Sequence, residues 1–337
     1  MVKIGIIGMG NRGRLFAQTA GDNPFAEVTA VSDINVELLQ PLAGKYRAKP
    51  YDDYIDMLDS ESLDVVIVTL PDHLHKKPVM EAAARKINIM VEKPLATSVA
   101  DAEEMAETVK RAGVKCLVAF ENRWNPPFVA VKDAIDSGEL GDIQAMNARL
   151  NDTVFVPTKM LPWVSGNSSP AWFLQSHFAD MASWLSGKRV KRVYAVGSKK
   201  LLAAMGCDTY DTIQTVLTYD DGASATITTS WILPEGLPTV FDGKFEIIGS
   251  KGASYVDLVS PVTSKASGSR YDVTVTLTSE VHGKIFGAPC YMLNSFIDNI
   301  RLGTEPMAGL EDGIINTRVI SAVHESIETG RAIDLFN

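Results

Sequence analysis

Val2-Lys-Ile-Gly-Ile-Ile7, followed without a break by Gly8-Met9-Gly10-Asn11-Arg12-Gly13, decides the fold of this 337-residue chain. The first six residues read as a buried strand and 14–20 as a helix, so GxGxxG sits in the strand-turn-helix setting that gives it a physical meaning. Gly8 permits the tight turn and Gly10 lets a pyrophosphate reach the backbone. Gly13 lets helix and strand pack closely, with phosphates at the helix N-terminus. Met9, Asn11 and Arg12 complete the loop and join the glycines as candidate cofactor contacts.

Outward from this loop, Val28-Thr-Ala-Val31 makes a second strand, and Asp33 follows Gly13 by twenty residues. A carboxylate there accepts hydrogen bonds from an adenosine ribose diol and repels a 2′-phosphate, which favours NAD over NADP. Arg12 leaves NADP open, and helix capping is the structural alternative for Asp33. Residues 51–58 are a short amphipathic segment, and Leu63-Asp-Val-Val-Ile-Val-Thr69 is a β-branched run of the kind covered on both faces.

The loop Thr69-Leu-Pro-Asp-His-Leu-His75 leaves the C-terminal end of that strand, where ligands of a doubly wound sheet bind. Thr69, Leu70, Pro71 and His75 are therefore expected beside the cofactor. His73 and His75 resemble a metal pair, but no third ligand lies at a sensible spacing, and no metal is expected. Residues 77–86 are helical and 88–91 a strand, after which Glu92-Lys93-Pro94 arrives at the same edge of the sheet. Bulk packing has no use for a carboxylate and an ammonium at the end of a buried strand, whereas a reaction that moves a proton and a hydride has. Ser98 reads as the N-cap of a helix to Arg111, and Val114-Lys-Cys-Leu-Val-Ala-Phe120 as another strand. Alternating strands and helices imply a parallel sheet with helices on both faces.

A chain of this length makes about two domains at roughly 100 to 200 residues each. With 46% hydrophobic and 22% charged residues, it has the composition of a soluble globular protein. A net charge of −9 without a basic stripe makes nucleic-acid backbones and anionic membranes poor partners. No apolar run approaches the roughly 18 residues of a membrane span, and the 2–9 run meets glycines too early for a signal peptide, so a cytoplasmic location is expected. Cys116, Cys207 and Cys290 lie far apart and outside any CxxC spacing, as buried or incidental thiols would.

Four stretches in order, GMGNRG at 8–13, TLPDHLH at 69–75, VEKPLA at 91–96 and FENRWNPPF at 120–128, resemble the Gfo/Idh/MocA oxidoreductases, the family of glucose-fructose oxidoreductase and inositol dehydrogenase. Asp220-Asp-Gly-Ala223, Glu246-Ile-Ile-Gly-Ser-Lys-Gly252 and Leu310-Glu-Asp-Gly313 resemble its later landmarks. The resemblance implies an α/β protein: an NAD(P)-binding Rossmann domain, placed at 1–121, and at 122–337 an α+β domain with a large open, mostly antiparallel sheet for substrate binding and oligomerisation. It also implies that Lys93 lies beside the nicotinamide and the reacting hydroxyl, with Glu92 and Pro94 at the cofactor and the Lys93-Pro94 peptide cis. A lysine near a positively charged nicotinamide and partly desolvated has its ammonium disfavoured, which suits removal of an alcohol proton. An ion pair with Glu92 is the structural alternative.

Residues 120–128 are the expected crossing between domains, two prolines ending one strand and starting a helix at 128–137. Asn122 and Arg123 then sit at a boundary where small ligands bind. Asn122 is a candidate cofactor contact, and Arg123 is either a substrate contact or an interdomain salt bridge. Strands are expected at 143–150, 212–219, 223–231, 244–248, 254–258 and 271–277. Ser168-Ser169-Pro170 reads as a helix start, with Ser169 as N-cap and Gly187 as the stop.

On that helix His177 and Asp180 are three apart and share a face. The family would place a glycine-rich lead-in and an aspartate four residues before the histidine. Here Asn167-Ser-Ser169 stand at the glycines, Phe173 at the aspartate and Gln175 at a further glycine. A histidine near the substrate hydroxyl can relay its proton, so His177 is expected to be catalytic beside Lys93. Asp180 either orients that imidazole or braces the helix. Phe173 packs on a sugar face or lines a drier pocket, and Trp163, Trp172 and Trp231 are sugar platforms or core. Helices at 291–301 and 313–329 are expected on the nucleotide domain with His324 at the surface, and a glycine-rich loop at 281–289, carrying His282, could close over substrate.

The expected activity is oxidation, or the reverse reduction, of a secondary hydroxyl of a sugar, polyol or glycoside, with hydride passing to NAD. An NAD-retaining epimerase or glycoside-cleaving enzyme using transient oxidation is an alternative. A non-catalytic nucleotide- or sugar-binding relative is another, kept open by Phe173. A homo-oligomer, dimer or tetramer, is common in the family.

Overall fold

The computed structural model describes residues 1–260, 263–267, 270–274 and 278–335. They form two compact units, Met1–Trp124 with Thr278–Ile315, and Asn125–Leu277 with Asn316–Asn337. The first unit thus joins the N-terminal 124 residues with residues 278–315.

In the first unit, β1 (Val2–Ile7), β2 (Ala26–Ser32), β3 (Lys49–Tyr51), β4 (Val65–Val68), β5 (Asn88–Val91) and β6 (Cys116–Val118) form one sheet in the order β3-β2-β1-β4-β5-β6. Every neighbouring pair is parallel. The connections carry α1 (Asn11–Asp22), α2 (Val36–Tyr46), α3 (Tyr54–Ser60), α4 (Lys76–Ala84) and α5 (Val99–Ala112). Successive residues of β4 serve opposite faces: Val65 and Ile67 enter one apolar core, Val66 and Val68 the other. That explains a continuous β-branched run with no polar face. Ser98 caps α5 by accepting from the Asp101 N–H at 3.2 Å.

The second unit opens with α6 (Pro126–Asp136), which starts two residues ahead of the expected helix because Pro126 and Pro127 fit the first turn. Next come β7 (Ile143–Thr153), α7 (Ser176–Ser186), β8 (Val190–Ser198), the short α8 (Leu201–Ala204), β9 (Thr212–Tyr219), β10 (Ser224–Leu233), β11 (Phe241–Gly249) and β12 (Ala253–Asp257). A two-stranded pair, β13 (Thr263–Ser267) and β14 (Arg270–Thr274), stands apart from the sheet. The strand expected at 271–277 is met by β14, while 275–277 lie outside the described residues. α7 packs Phe178 against Phe128 and Phe245, with ring centroids 6.2 and 5.3 Å away in edge-to-face geometry. β8 was not among the expected strands: its register shifts between Val190 and Arg192, which breaks the alternation that would have marked it.

The chain then returns to the first unit as a hairpin of β15 (Thr278–Val281) and β16 (Lys284–Gly287), followed by α9 (Ala288–Leu302). The expected loop at 281–289 is thus a hairpin turn plus a helix start. His282 is at the turn with φ 51°, and the next carbonyl, Gly283, accepts from the Gln18 amide at 3.1 Å. α9 buries Met292, Leu293, Phe296 and Ile297 completely against the first unit. α10 (Leu310–Thr329) is divided after Ile315: Ile314 joins the first unit's core, and Val319, Ile320 and Val323 the second's. Only the start of α10 therefore packs on the nucleotide-binding unit. His324 is not a surface residue. It is half-buried and stacked on Trp172 at 5.2 Å. Last, β17 (Ile333–Asp334) pairs with β8, giving a seven-stranded sheet in the order β12-β11-β7-β10-β9-β8-β17, antiparallel except between β7 and β10.

Candidate functional site

Between β1 and α1 three residues make the whole turn. Gly8 takes φ +92°, and a Cβ there would stand 2.9 Å from the Thr69 carbonyl oxygen. At Gly13 an added Cβ would lie 2.0 Å from the Gly8 carbonyl oxygen, so this strand and helix meet so closely only without a side chain. At Gly10 nothing lies within 4 Å of the Cβ position, which leaves the loop open on that side. α1 brings no side-chain cap and no acidic residue in its first turn. Its N-terminal N–H groups and dipole are therefore available to an anion. The cradle fits the pyrophosphate of NAD.

Asp33 closes the cradle from the end of β2, its carboxylate accepting from the Met9 N–H at 2.6 Å and the Asn35 N–H at 2.8 Å. The cap of α2 is Asn35, which accepts from the Glu37 N–H at 3.2 Å. Each carboxylate oxygen of Asp33 keeps a second lone pair for a ribose hydroxyl. Thr69 is engaged with the loop itself, its hydroxyl donating to the Gly8 carbonyl at 2.5 Å.

Arg12 runs toward the other side of the sheet. Its Nε donates to Glu92 Oε1 at 2.6 Å, its Nη2 pairs with Glu121 Oε2, and the guanidinium lies 4.9 Å over the Phe16 ring. Burial works against the charge, but Glu121 and Glu92 outweigh it and raise the guanidinium's proton affinity. Committed to the ends of β5 and β6, Arg12 is not held for a 2′-phosphate at the end of β2.

Glu92 makes the last rung beside β4, its N–H donating to the Val68 carbonyl at 2.9 Å. Lys93 follows, 8% exposed, with the Lys93-Pro94 peptide cis. Burial lowers its pKa; Glu92, Asp72 and Glu121 oppose that shift and Arg12 adds to it. His75 is buried with Nδ1 2.9 Å from the Pro94 carbonyl oxygen and Nε2 3.0 Å from that of Leu70. Both ring nitrogens thus face protein backbone. His73 sits beside Asp72 at 3.6 Å. Pro71 leads into the 3-10 turn Asp72–Leu74.

Asn122 and Arg123 are buried in the 3-10 turn Glu121–Trp124. Arg123 donates to the Met307 carbonyl and to Asp312 Oδ1, each at 2.8 Å, so within the first unit it acts as a structural tie. In the second unit, a π-helical turn, Ala171–Gln175, leads directly into α7, which carries His177 and the buried Asp180. Phe173 is half-buried, its ring 6.4 Å from Trp163 and 5.9 Å from the fully buried Trp231. Trp231 Nε1 donates to Asp152 at 3.1 Å, which makes it core. Gln175 is fully buried, accepting from the Thr215 hydroxyl at 3.2 Å.

Two acidic residues escaped the sequence reading. Glu121 and Asp72 both stand just beyond the C-terminal ends of parallel strands, the same position that singled out Glu92.

The family model described as the GFO/IDH/MocA oxidoreductase family with NAD-binding Rossmann fold matches residues 2–120, and the model of the GFO/IDH/MocA C-terminal domain matches 128–255. The chain is 26% identical over 336 residues to a myo-inositol 2-dehydrogenase of Thermotoga maritima, covering 99% of this chain and 98% of that protein. It is also 26% identical to the scyllo-inositol 2-dehydrogenase (NAD(+)) of Bacillus subtilis, covering 99% and 96%. A solved structure from Thermotoga maritima, described as a probable dehydrogenase, has a TM-score of 0.84 at 26% identity over 99% of both chains. The scyllo-inositol dehydrogenase of Lactobacillus casei, solved with NAD(H) and scyllo-inositol, has a TM-score of 0.85 over 99% of each chain, a likeness of fold alone at 18% identity. The two family matches between them span most of the chain and agree with the cradle built by Gly8, Gly10, Gly13 and Asp33: this chain belongs to the GFO/IDH/MocA family and is an NAD-binding oxidoreductase.

Proposed function

We propose that the protein is a dehydrogenase that oxidises a secondary hydroxyl of a cyclitol or related sugar, with Lys93 as the group that takes the hydroxyl proton. The observation that carries this reading is a buried lysine, its ammonium disfavoured, two strands from the glycine cradle on the C-terminal edge of the sheet. NAD, when bound, supplies the hydride acceptor. Lys93 in its amine form accepts the O–H proton as the carbinol C–H leaves as hydride, and returns that proton in the reverse direction. His177 is the second proton-handling side chain in this reading, by the resemblance that aligns it with a substrate-site histidine. The named activities of the Thermotoga and Bacillus relatives support a cyclitol substrate. Tyr194 and Val216, exposed cross-strand partners on β8 and β9, support a homo-oligomer, which sedimentation would read directly.

The test is Lys93→Met, which keeps an unbranched side chain as far as Cε and removes the amine. With myo-inositol, scyllo-inositol and a sugar panel, turnover followed by NADH absorbance is expected to fall about 10²- to 10⁴-fold. NADH affinity, read by fluorescence, is expected to stay close to that of the parent. Near-normal turnover in the variant would end the assignment.

A further inference from the structure

Past the rung from the Glu92 N–H to the Val68 carbonyl, ladder bonds no longer tie the loop after β4 to the turn after β5. His75 spans that gap. The residue is 1% exposed, and its two ring nitrogens lie 2.9 Å from the Pro94 carbonyl oxygen and 3.0 Å from that of Leu70; both oxygens only accept, so a neutral ring donates to one of them and an imidazolium to both. Leu70 in turn leans on the glycine turn, since a Cβ at Gly8 would meet its Cδ2 at 3.0 Å. From the other side Arg12 holds Glu92 at 2.6 Å. Leu95 is fully buried beneath α10, where a Cβ on Gly313 would come within 3.0 Å of it. Lys93 therefore stands between two fixed neighbours, Glu92 and Pro94.

We propose that His75 is a positioning residue which, by donating to the carbonyl of Pro94 or of Leu70 from a ring lodged between the two, keeps the Lys93 side chain in its buried place at the edge of the cofactor cradle. The idea rests on the reading of Lys93 as the acid/base. The charged groups that face Lys93 are Glu92, Asp72, Glu121 and Arg12, and the three carboxylates favour the ammonium. Burial is what opposes them. A slack turn would let water reach the amine and move Lys93 toward ordinary lysine behaviour. A histidine that served only as a core strut would lower stability when removed without changing the titration of Lys93.

His75→Phe keeps a ring and removes both nitrogens, while His75→Gln retains an amide that can donate to one carbonyl. The primary readout needs neither substrate nor NAD: competitive acetylation with acetic anhydride across pH, with Lys93 followed by peptide mass spectrometry. The Lys93 midpoint is expected to rise by about one pH unit or more in His75→Phe, and by less in His75→Gln. With NAD and myo-inositol, turnover at neutral pH is expected to fall about 10- to 100-fold in His75→Phe and to recover as pH rises, with NADH affinity within about threefold of the parent. An unchanged Lys93 midpoint in both variants, accompanied by a lower melting temperature, would overturn the proposal. Should His75→Phe fail to fold, the midpoint in His75→Gln decides it. Normal turnover in Lys93→Met would remove the acid/base reading, whereas the labelling midpoint judges the strap alone.

Discussion

At the scale of single residues, the role proposed for Lys93 requires its amine form, so its environment has to favour the loss of a proton. Burial does this, against the pull of Glu92, Asp72 and Glu121. The sign of the pH dependence follows: oxidation should increase as pH rises through the Lys93 pKa, below the ordinary lysine range, and ketone reduction should decrease over the same interval. Initial rates in both directions across pH would check this. Replacing Glu121 by Gln removes one group that favours the ammonium, and is expected to move that limb to lower pH provided Arg12 keeps its bond to Glu92. At the far end of the cradle, Asp33→Asn should weaken NAD by about 10- to 100-fold, since hydrogen bonds to a charged group are worth about 1.5–3 kcal/mol. NADP should suffer less, and the two dissociation constants would show it. The places of Gly8, Gly13, Asp33 and Lys93 were legible because each answers a demand that local sequence states: a tight turn, a close packing, a carboxylate just past the second strand, a charge at a strand end. The pairings of Arg12 with Glu121 and of His75 with Pro94 were not, because they join side chains and backbone that only the sheet order brings together.

Among elements, the π-turn before His177 is the most informative departure from a simple pattern. A helix from 170 to 187 was readable from Ser169, Pro170 and Gly187, but its first turn is widened, the Ser176 N–H reaching back to the Ala171 carbonyl. Side-chain periodicity does not encode such a turn. It depends on what the turn packs against, here Trp231 for Phe173 and Thr215 for Gln175. α10 holds it at both ends. Asn316 Nδ2 donates to the Ser176 carbonyl at 2.9 Å, and His324 Nε2 lies 2.8 Å from Ser169 Oγ. His324 Nδ1 faces the Ile320 carbonyl at 2.8 Å and donates there, so the Ser169 hydroxyl donates to Nε2. Burial pushes the His324 pKa down, which favours the neutral ring this arrangement needs. The same Ser169 oxygen accepts from the Ala171 and Trp172 N–H groups at 3.2 Å each. Ser169→Ala should therefore destabilise the protein by about 0.5–2 kcal/mol, read by urea unfolding. Phe173→Asp, which restores the residue type the family resemblance would place there, sets a carboxylate beside Trp163 and Trp231 and is expected to lower stability by more than Ser169→Ala.

For the molecule as a whole, the chain order of the two units matters more than their separate folds. Strand and helix alternation suggested a nucleotide-binding domain ending near residue 121, and apolar spacing suggested that later helices pack back on it. What periodicity could not state is how much of the first unit's core those helices supply. Met292, Leu293, Phe296 and Ile297 of α9 are all fully buried, in one cluster with Ile4, Phe16 and Leu117. Burying a large apolar side chain is worth about 1.5–3 kcal/mol, so these four contribute about 6–12 kcal/mol. That is comparable with the whole stability of a typical domain, about 5–15 kcal/mol. A fragment of residues 1–124 should therefore lack a cooperative thermal transition and fail to bind NADH, although it contains every glycine of the cradle and Lys93. Joining residues 278–315 to it through a flexible glycine-serine linker should restore both. Circular dichroism melting and NADH fluorescence on the two fragments would test this, and a cooperative, NADH-binding 1–124 fragment would show that α9 is an accessory to the nucleotide-binding unit rather than part of its core.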